Sequence, residues 1–222
     1  MMKIYLGCLA AVLCGYTAVA QESPARSMRE IKPGSVFLKP GVGGFFKLGR
    51  IDNSLAPNLE AHAKSLRNGF VWSLDGAVMI SRRDYIGATF SRTNQSGSFN
   101  NTIGLPGGSM SFRIDNTETI GYTGLHYGNM MPVNHKNTVF FHTRAGLGLF
   151  SYRSTFSGNA IGNTEFKESN IGFQLGAGLE ARLGNAVSWV ADADLLSGNV
   201  KIEGEKENLS QIRLTTGLLF RF

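Results

Sequence analysis

Two carboxylates stand two residues apart in "VADADLL", Asp192 and Asp194. On an extended strand they share one face, about 7 Å apart. That spacing suits general acid/base chemistry or a hard cation. Four histidines add titratable groups: His62, His126, His135 and His142. His142 lies two residues before Arg144, on the same face of an extended chain, whereas His62 and His135 fall in connecting segments and read as solvated. Arg144, Arg182 and Arg213 occur in segments of the same type, so the aspartates read as members of a structural ion-pair core. No catalytic residue, metal site or cofactor is assigned. The glycine clusters "GLPGG" (Gly104–Gly108) and "GVGG" lack the strand–loop–helix context of a phosphate loop and read as loop and packing glycines.

What must position these groups follows from the rest of the chain. Its 222 residues carry 28 glycines and only 17% charged residues. Residues 1–20 have a single early charge, Lys3, then an apolar run from Ile4 to Cys14, then Ala18-Val19-Ala20. This is the layout of a secretory signal peptide, with cleavage expected between Ala20 and Gln21. Neither Cys8 nor Cys14 follows a lipobox, since Tyr5 and Ala11 stand three residues upstream. Cleavage would remove both cysteines, leaving a chain with no disulfide, thiol nucleophile or cysteine metal site. Without Lys3, the 22 basic side chains become 21, against 16 acidic ones. The longest basic run is Arg82-Arg83, so no concentrated patch supports a nucleic-acid partner.

After Gln21 the dominant period is two. Ile212, Leu214, Thr216, Leu218, Phe220 and Phe222 form one row, and Gln211, Arg213, Thr215, Gly217, Leu219 and Arg221 the other. The same alternation recurs around residues 36–48, 70–80, 85–91, 112–127, 139–151, 170–183 and 187–197, with a phase switch near Gly121–Gly124. The one helical candidate is "SLAPNLEAHAKSL", Ser54–Leu66. Eight strands are expected, joined by long connections at 51–68, 92–111, 153–168 and 198–209, a medium one at 128–137 and short ones at 81–84 and 184–186. Long connections at one end and mostly short ones at the other are the layout of an outer-membrane barrel.

The polar rows decide which face is inside. They are glycine-rich and contain Lys39, Lys47, Asp75, His142, Arg144, Glu180, Arg182, Asp192, Asp194, Arg213 and Arg221. The six lysines and arginines against four acids suit a self-neutralising lumen, while the apolar rows suit hydrocarbon, where Arg or Lys costs about 2–4 kcal/mol at the midplane. The expected fold is all-β, an eight-stranded antiparallel up-and-down transmembrane β-barrel. Its domains are a signal peptide at 1–20, a periplasmic lead-in at 21–35 and the barrel at 36–222. Residues 21–34 leave two options open, a free lead-in or a segment tucked into the barrel.

The strand "GFQLGAGLEARL" and its short following turn, together with the tail "TTGLLFRF", resemble the small outer-membrane β-barrel family of Gram-negative bacteria, of the OmpX/OmpW-like and OmpA-barrel type, over about residues 36–222. The tail looks like the signal read by the β-barrel assembly machinery, which would assign that role to Thr215, Gly217, Phe220 and Phe222. The resemblance also implies outer-membrane lipid and lipopolysaccharide as partners. His126-Tyr127-Gly128 lacks the His-x-Ser arrangement of an outer-membrane lipid A deacylase, so the esterase members of this group are not a match. The leading expectation is a non-catalytic barrel that presents its extracellular loops to a ligand or surface. The alternatives are a narrow solute channel and a soluble periplasmic lipid-binding barrel.

Overall fold

The computed structural model describes residues 31–49, 57–105, 108–158, 162–202 and 205–222, which fall in one compact unit, Ile31–Phe222. The expected signal peptide and the cleavage pair Ala20 and Gln21 lie outside the described residues. The strands are β1 (Val36–Lys47), β2 (Asn68–Met79), β3 (Asp84–Leu105), β4 (Gly108–Pro132), β5 (Val139–Gly158), β6 (Gly162–Arg182), β7 (Val187–Ser197), β8 (Asn199–Ile202), β9 (Glu205–Asn208) and β10 (Gln211–Arg221). A single described helix, α1 (Pro57–Ser65), falls inside the helical candidate.

Eight of these strands close into an antiparallel barrel in the order β1-β10-β7-β6-β5-β4-β3-β2, and β8 and β9 form a separate hairpin. Each neighbour pair keeps a constant register along its paired residues, without a bulge. Following paired residues from Val36 through Val78, Ile86, Tyr127, Ala145, Leu175, Leu195 and Ile212 returns to Phe46, ten residues further along β1. The strands are therefore strongly tilted, as closure of a small barrel requires. Every residue on that circuit is apolar or aromatic and faces out.

The alternation separates the two faces. On β1, Phe37, Lys39, Phe45 and Lys47 are buried, whereas Val36, Leu38, Val42 and Phe46 are exposed. Leu125, Leu147, Ile171 and Leu214 are each more than 60% exposed, so the outside is a belt of large apolar side chains. Along β6 and the residue after it this belt runs from Ile171 to Leu183, about 40 Å along the strand and about 30 Å once tilted by about 40°. A soluble lipid-binding barrel requires the opposite arrangement, with the apolar rows inside.

Two features differ from the sequence expectation. The stretches 92–111 and 153–168 are mostly strand: β3–β4 and β5–β6 continue well past the belt as tall hairpins. The outer face there turns polar because it meets water, while the inner face mixes polar Thr93, Gln95 and Ser154 with Phe99 and Tyr152, so the apolar/polar contrast between the faces is lost. The phase switch near Gly121–Gly124 has the same origin. Even-numbered residues of β4 face inward along its length, as Asn116, Glu118, Ile120, Tyr122 and His126 show. The outer face passes from Thr117 and Thr119 to Leu125 and Tyr127 at the edge of the belt, so the switch is a solvent boundary and not an irregularity in the wall.

Short turns are locked by local hydrogen bonds. Ser81 Oγ accepts from the Asp84 amide at 2.9 Å and donates to Asp84 Oδ2 at 2.6 Å. Asn134 Oδ1 accepts from the amides of Thr138 and Val139. The final closure uses the last residue: the Phe222 amide donates to Val36 O at 2.9 Å, and the Val36 amide donates to Phe222 O at 3.3 Å.

Candidate functional site

The interior is filled in three layers. At the short-turn end lies an apolar cluster of Ile31, Phe37, Ala77, Met79, Tyr85, Met130, Phe140, Val190 and Leu219. Ile31 belongs to the lead-in, whose described end therefore tucks into the barrel. Gly34, at φ 85°, makes the turn that lets its amide donate to Met79 O at 2.7 Å. Beside this layer Ser188 Oγ donates to Glu180 Oε1 at 2.7 Å, Arg221 bonds both Glu180 and Ser188, and the Arg182 guanidinium sits 4.6 Å from the Phe140 ring centroid.

The middle layer is ionic, and every barrel strand contributes to it. Lys39 on β1 lies 3.0 Å from Asp75 on β2 and also pairs with Asp192 on β7. Arg144 on β5 is the hub: it makes a two-bond pair with Asp194 and lies 3.4 Å from Asp192 and 3.8 Å from Asp75. Arg213 on β10 stands 3.8 Å from Asp194 and hydrogen-bonds Ser91 on β3. Gln174 on β6 donates to Asp194 at 3.0 Å, and Thr89 on β3 donates to Asp75 at 2.5 Å while lying 3.2 Å from His126 on β4. His142 Nε2 lies 3.1 Å from Asp192 Oδ1. Three aspartates thus face Lys39, Arg144 and Arg213, a balance that allows burial because each charge has partners.

Glycines make room for these long side chains. A Cβ on Gly176 would fall against Arg144 and Asp194, and one on Gly178 against His142 and Asp192. The glycine-rich polar rows are thus the complement of the charged side chains beside them.

The upper layer is an apolar cluster of Ile120, Tyr122, Phe150, Tyr152, Leu196, Val200 and Leu209. Val200 and Leu209, on β8 and just after β9, are 1% and 0% exposed, so the β8–β9 hairpin caps the interior. Beside it Lys47 Nζ lies 2.7 Å from Glu118 Oε2 and 3.9 Å from Glu207 Oε1. Burial holds the Glu207 carboxyl above its ordinary range, and Lys47 offsets this only in part.

The structure places Lys39, Asp75, His142, Arg144, Asp192, Asp194 and Arg213 together in the middle layer, Glu180, Arg182 and Arg221 near the short-turn end, and Lys47 near the cap. Of the four C-terminal residues singled out, Thr215 and Gly217 face inward while Phe220 and Phe222 face outward, Phe222 being 79% exposed. Glu118, Thr89, Ser91 and His126 join the network without being singled out by the sequence pattern, and Gln174, which the pattern puts on a polar row, joins it as well. All five lie on inward rows, so their parity along β3, β4 and β6 was the available signal.

Beyond the belt, β3 to β6 continue as a four-stranded wall. On its inner face Phe99 and Phe112 pack tilted and Phe156 and Phe166 pack edge to face, each pair at 6.0 Å between ring centroids, while its opposite face carries Arg113 with Asp115 and Arg153 with Glu165 and Lys167. Helix α1 lies against β3, with His62 edge-on to Phe99 at 6.3 Å.

No protein-family model and no curated protein sequence matches the chain. Solved structures do. The fold is similar to that of Neisserial surface protein A, at a TM-score of 0.56 and 13% identity, covering 85% of this chain and 99% of that one. It is also similar to the outer membrane protein OprG from Pseudomonas aeruginosa, at a TM-score of 0.51 and 11% identity, covering 88% and 99%. At such identities the likeness is one of fold: this chain has the eight-stranded transmembrane β-barrel architecture of these outer-membrane proteins.

Proposed function

We propose that this protein spans the bacterial outer membrane, with its short turns in the periplasm, and that it works as a surface-interaction protein through the wall formed by β3 to β6. The observation that carries the reading is the contrast between a filled interior and a tall exterior. Buried side chains fill three layers of the interior, and four strands extend past the belt to present paired charged side chains, Arg113 with Asp115 and Arg153 with Glu165 and Lys167, to water. Loops and edges on a rigid scaffold are where recognition concentrates. The lumen residues then serve closure and stability, and Thr215, Gly217, Phe220 and Phe222 serve recognition by the assembly machinery. Exposed Arg92 and Arg153, at the upper edge of the belt, are suited to lipopolysaccharide phosphates.

Residues 21–222 contain no cysteine, so single cysteines can report orientation. Ser98→Cys, on the wall, should react with a membrane-impermeant maleimide on intact cells. Asn185→Cys, in a short turn, should react only after the cells are opened. The reverse labelling would overturn the orientation. Stable conductance steps from the purified protein in a planar bilayer would replace the surface role with the channel reading.

A further inference from the structure

The apolar belt is not smooth. A groove of about 590 Å³ crosses its outer face between β4 and β10. Small outward residues, Ala145, Ala177 and Ala193, make its floor, and Leu175, Leu195 and Ile212 wall it on the side of the long connections. The groove climbs. Asn129 stands near the short-turn end of β4 at Pro132, whereas Ile212 stands beside Gln211, at the opposite end of β10. Four interstrand steps of about 4.8 Å give it a length of about 19 Å, the scale of one acyl chain in a leaflet about 15 Å thick.

The charged group at its low end is a carboxylate. Asp84 opens β3 on the outward parity of Ile86 and Phe90 and pairs across to Asn129. Its chain neighbour Arg83 stands opposite Met130, on the inward parity. Asn129 Nδ2 and the Tyr127 hydroxyl, both from the groove lining, donate to Asp84 Oδ1 at 2.8 and 2.7 Å, and Ser81 Oγ donates to Oδ2 at 2.6 Å. A carboxylate has about four acceptor positions, so these three bonds fix its orientation and leave one position on Oδ2. All three donors are neutral, so none of them cancels the charge. Arg144 and Asp194 also border the groove, but they reach it from the inward row and pair with each other.

An apolar slot about one acyl chain long that ends at an oriented carboxylate matches an amphiphile whose head is both cationic and a hydrogen-bond donor. A primary ammonium supplies three such donors, and a trimethylated one supplies none. We infer that the groove holds a single ethanolamine phospholipid of the periplasmic leaflet, with its ammonium on Asp84 and one acyl chain laid along Ala177 and Ala193. This assignment rests on the membrane orientation proposed above.

The test is native mass spectrometry of the purified mature chain in a non-ionic detergent. Phosphatidylethanolamine, phosphatidylcholine and phosphatidylglycerol of identical acyl chains are supplied in equal amounts. One phosphatidylethanolamine should be retained, about tenfold more tightly than either of the others. Asp84→Asn keeps an acceptor for Tyr127 and Asn129 but removes the charge, and should bring phosphatidylethanolamine down to the phosphatidylcholine level. Ala193→Leu, whose longer side chain points into lipid, should weaken retention about tenfold by filling the floor. Equal retention of the three lipids, or undiminished retention in Ala193→Leu, would mean ordinary annular lipid and would overturn the site. A preference for phosphatidylglycerol, or one for phosphatidylethanolamine that survives Asp84→Asn, would overturn the role of the carboxylate and the assignment with it. So would a dimer that Ala193→Leu disrupts, since a second copy would then be the occupant. A heat-dependent gel shift measured on every variant separates these failures from failure of the membrane reading, which would remove the shift from the unaltered protein too.

Discussion

Arg144 and Asp194 face each other across the interior and are joined by two hydrogen bonds, Nε to Oδ1 at 2.9 Å and Nη2 to Oδ2 at 2.6 Å. This fork ties β5 to β7 at a level where Gly176, on the intervening strand β6, leaves the space that both side chains occupy. Removing one partner strands a buried charge. Asp194→Ala is therefore expected to destabilise the barrel by about 3–5 kcal/mol, measured by urea unfolding in lipid vesicles. The Arg144→Ala, Asp194→Ala double variant should lose less than the sum of the single variants. An additive result would show that the pair does not couple.

The glycine beside the pair gives a second expectation. Gly176→Leu forces a side chain against Arg144 and Asp194 and should abolish the folded, gel-shifting form. Gly184→Ala, in a short turn where an added Cβ meets nothing within 4 Å, should change stability by no more than about 0.5 kcal/mol. Comparable loss in both variants would contradict the packing account.

How much of this was legible in the sequence differs from element to element. The period of two was clear on β1, β2, β6, β7 and β10, because one row of each is apolar and meets the belt. It failed on β3 and β4 beyond Arg92 and Gly121. There Thr117 and Thr119 face water while Ile120 and Tyr122 turn inward, so the apolar-out, polar-in contrast of the two faces is lost within a single strand. A long connection at 92–111 was the natural reading of that loss. The inward charges could be named from parity alone. Which of them meet could not, since the partnership of Lys39 with Asp192, 153 residues apart, depends on the closing register of β10 with β1 and β7.

The outer belt makes a prediction that separates a membrane barrel from a soluble one. Leu175→Arg and Leu179→Arg, inside the belt that runs from Ile171 to Leu183, replace side chains that are 48% and 49% exposed. In a soluble protein such changes are nearly neutral. In hydrocarbon they should each cost about 2–4 kcal/mol near the midplane, seen as a lower urea midpoint in vesicles. Unchanged or raised midpoints would contradict the belt.

The C-terminal pair yields a prediction about assembly. Phe222 closes the barrel through backbone bonds to Val36, and its ring points outward. Phe222→Ala keeps those backbone bonds, so refolding of the purified chain into detergent should be little changed. If the ring is read by the assembly machinery, the amount reaching the outer membrane in cells should fall several-fold. Equal loss in both settings would assign the ring a purely structural role.

The most direct test of the account is electrophoretic. The outer-membrane fraction is run in SDS unboiled beside a boiled sample. A closed barrel inserted in lipid predicts recovery in that fraction and a band that moves on heating, with the shift lost in Gly176→Leu. Recovery in the soluble fraction, with the same mobility boiled and unboiled, would contradict the membrane barrel and everything built on its orientation.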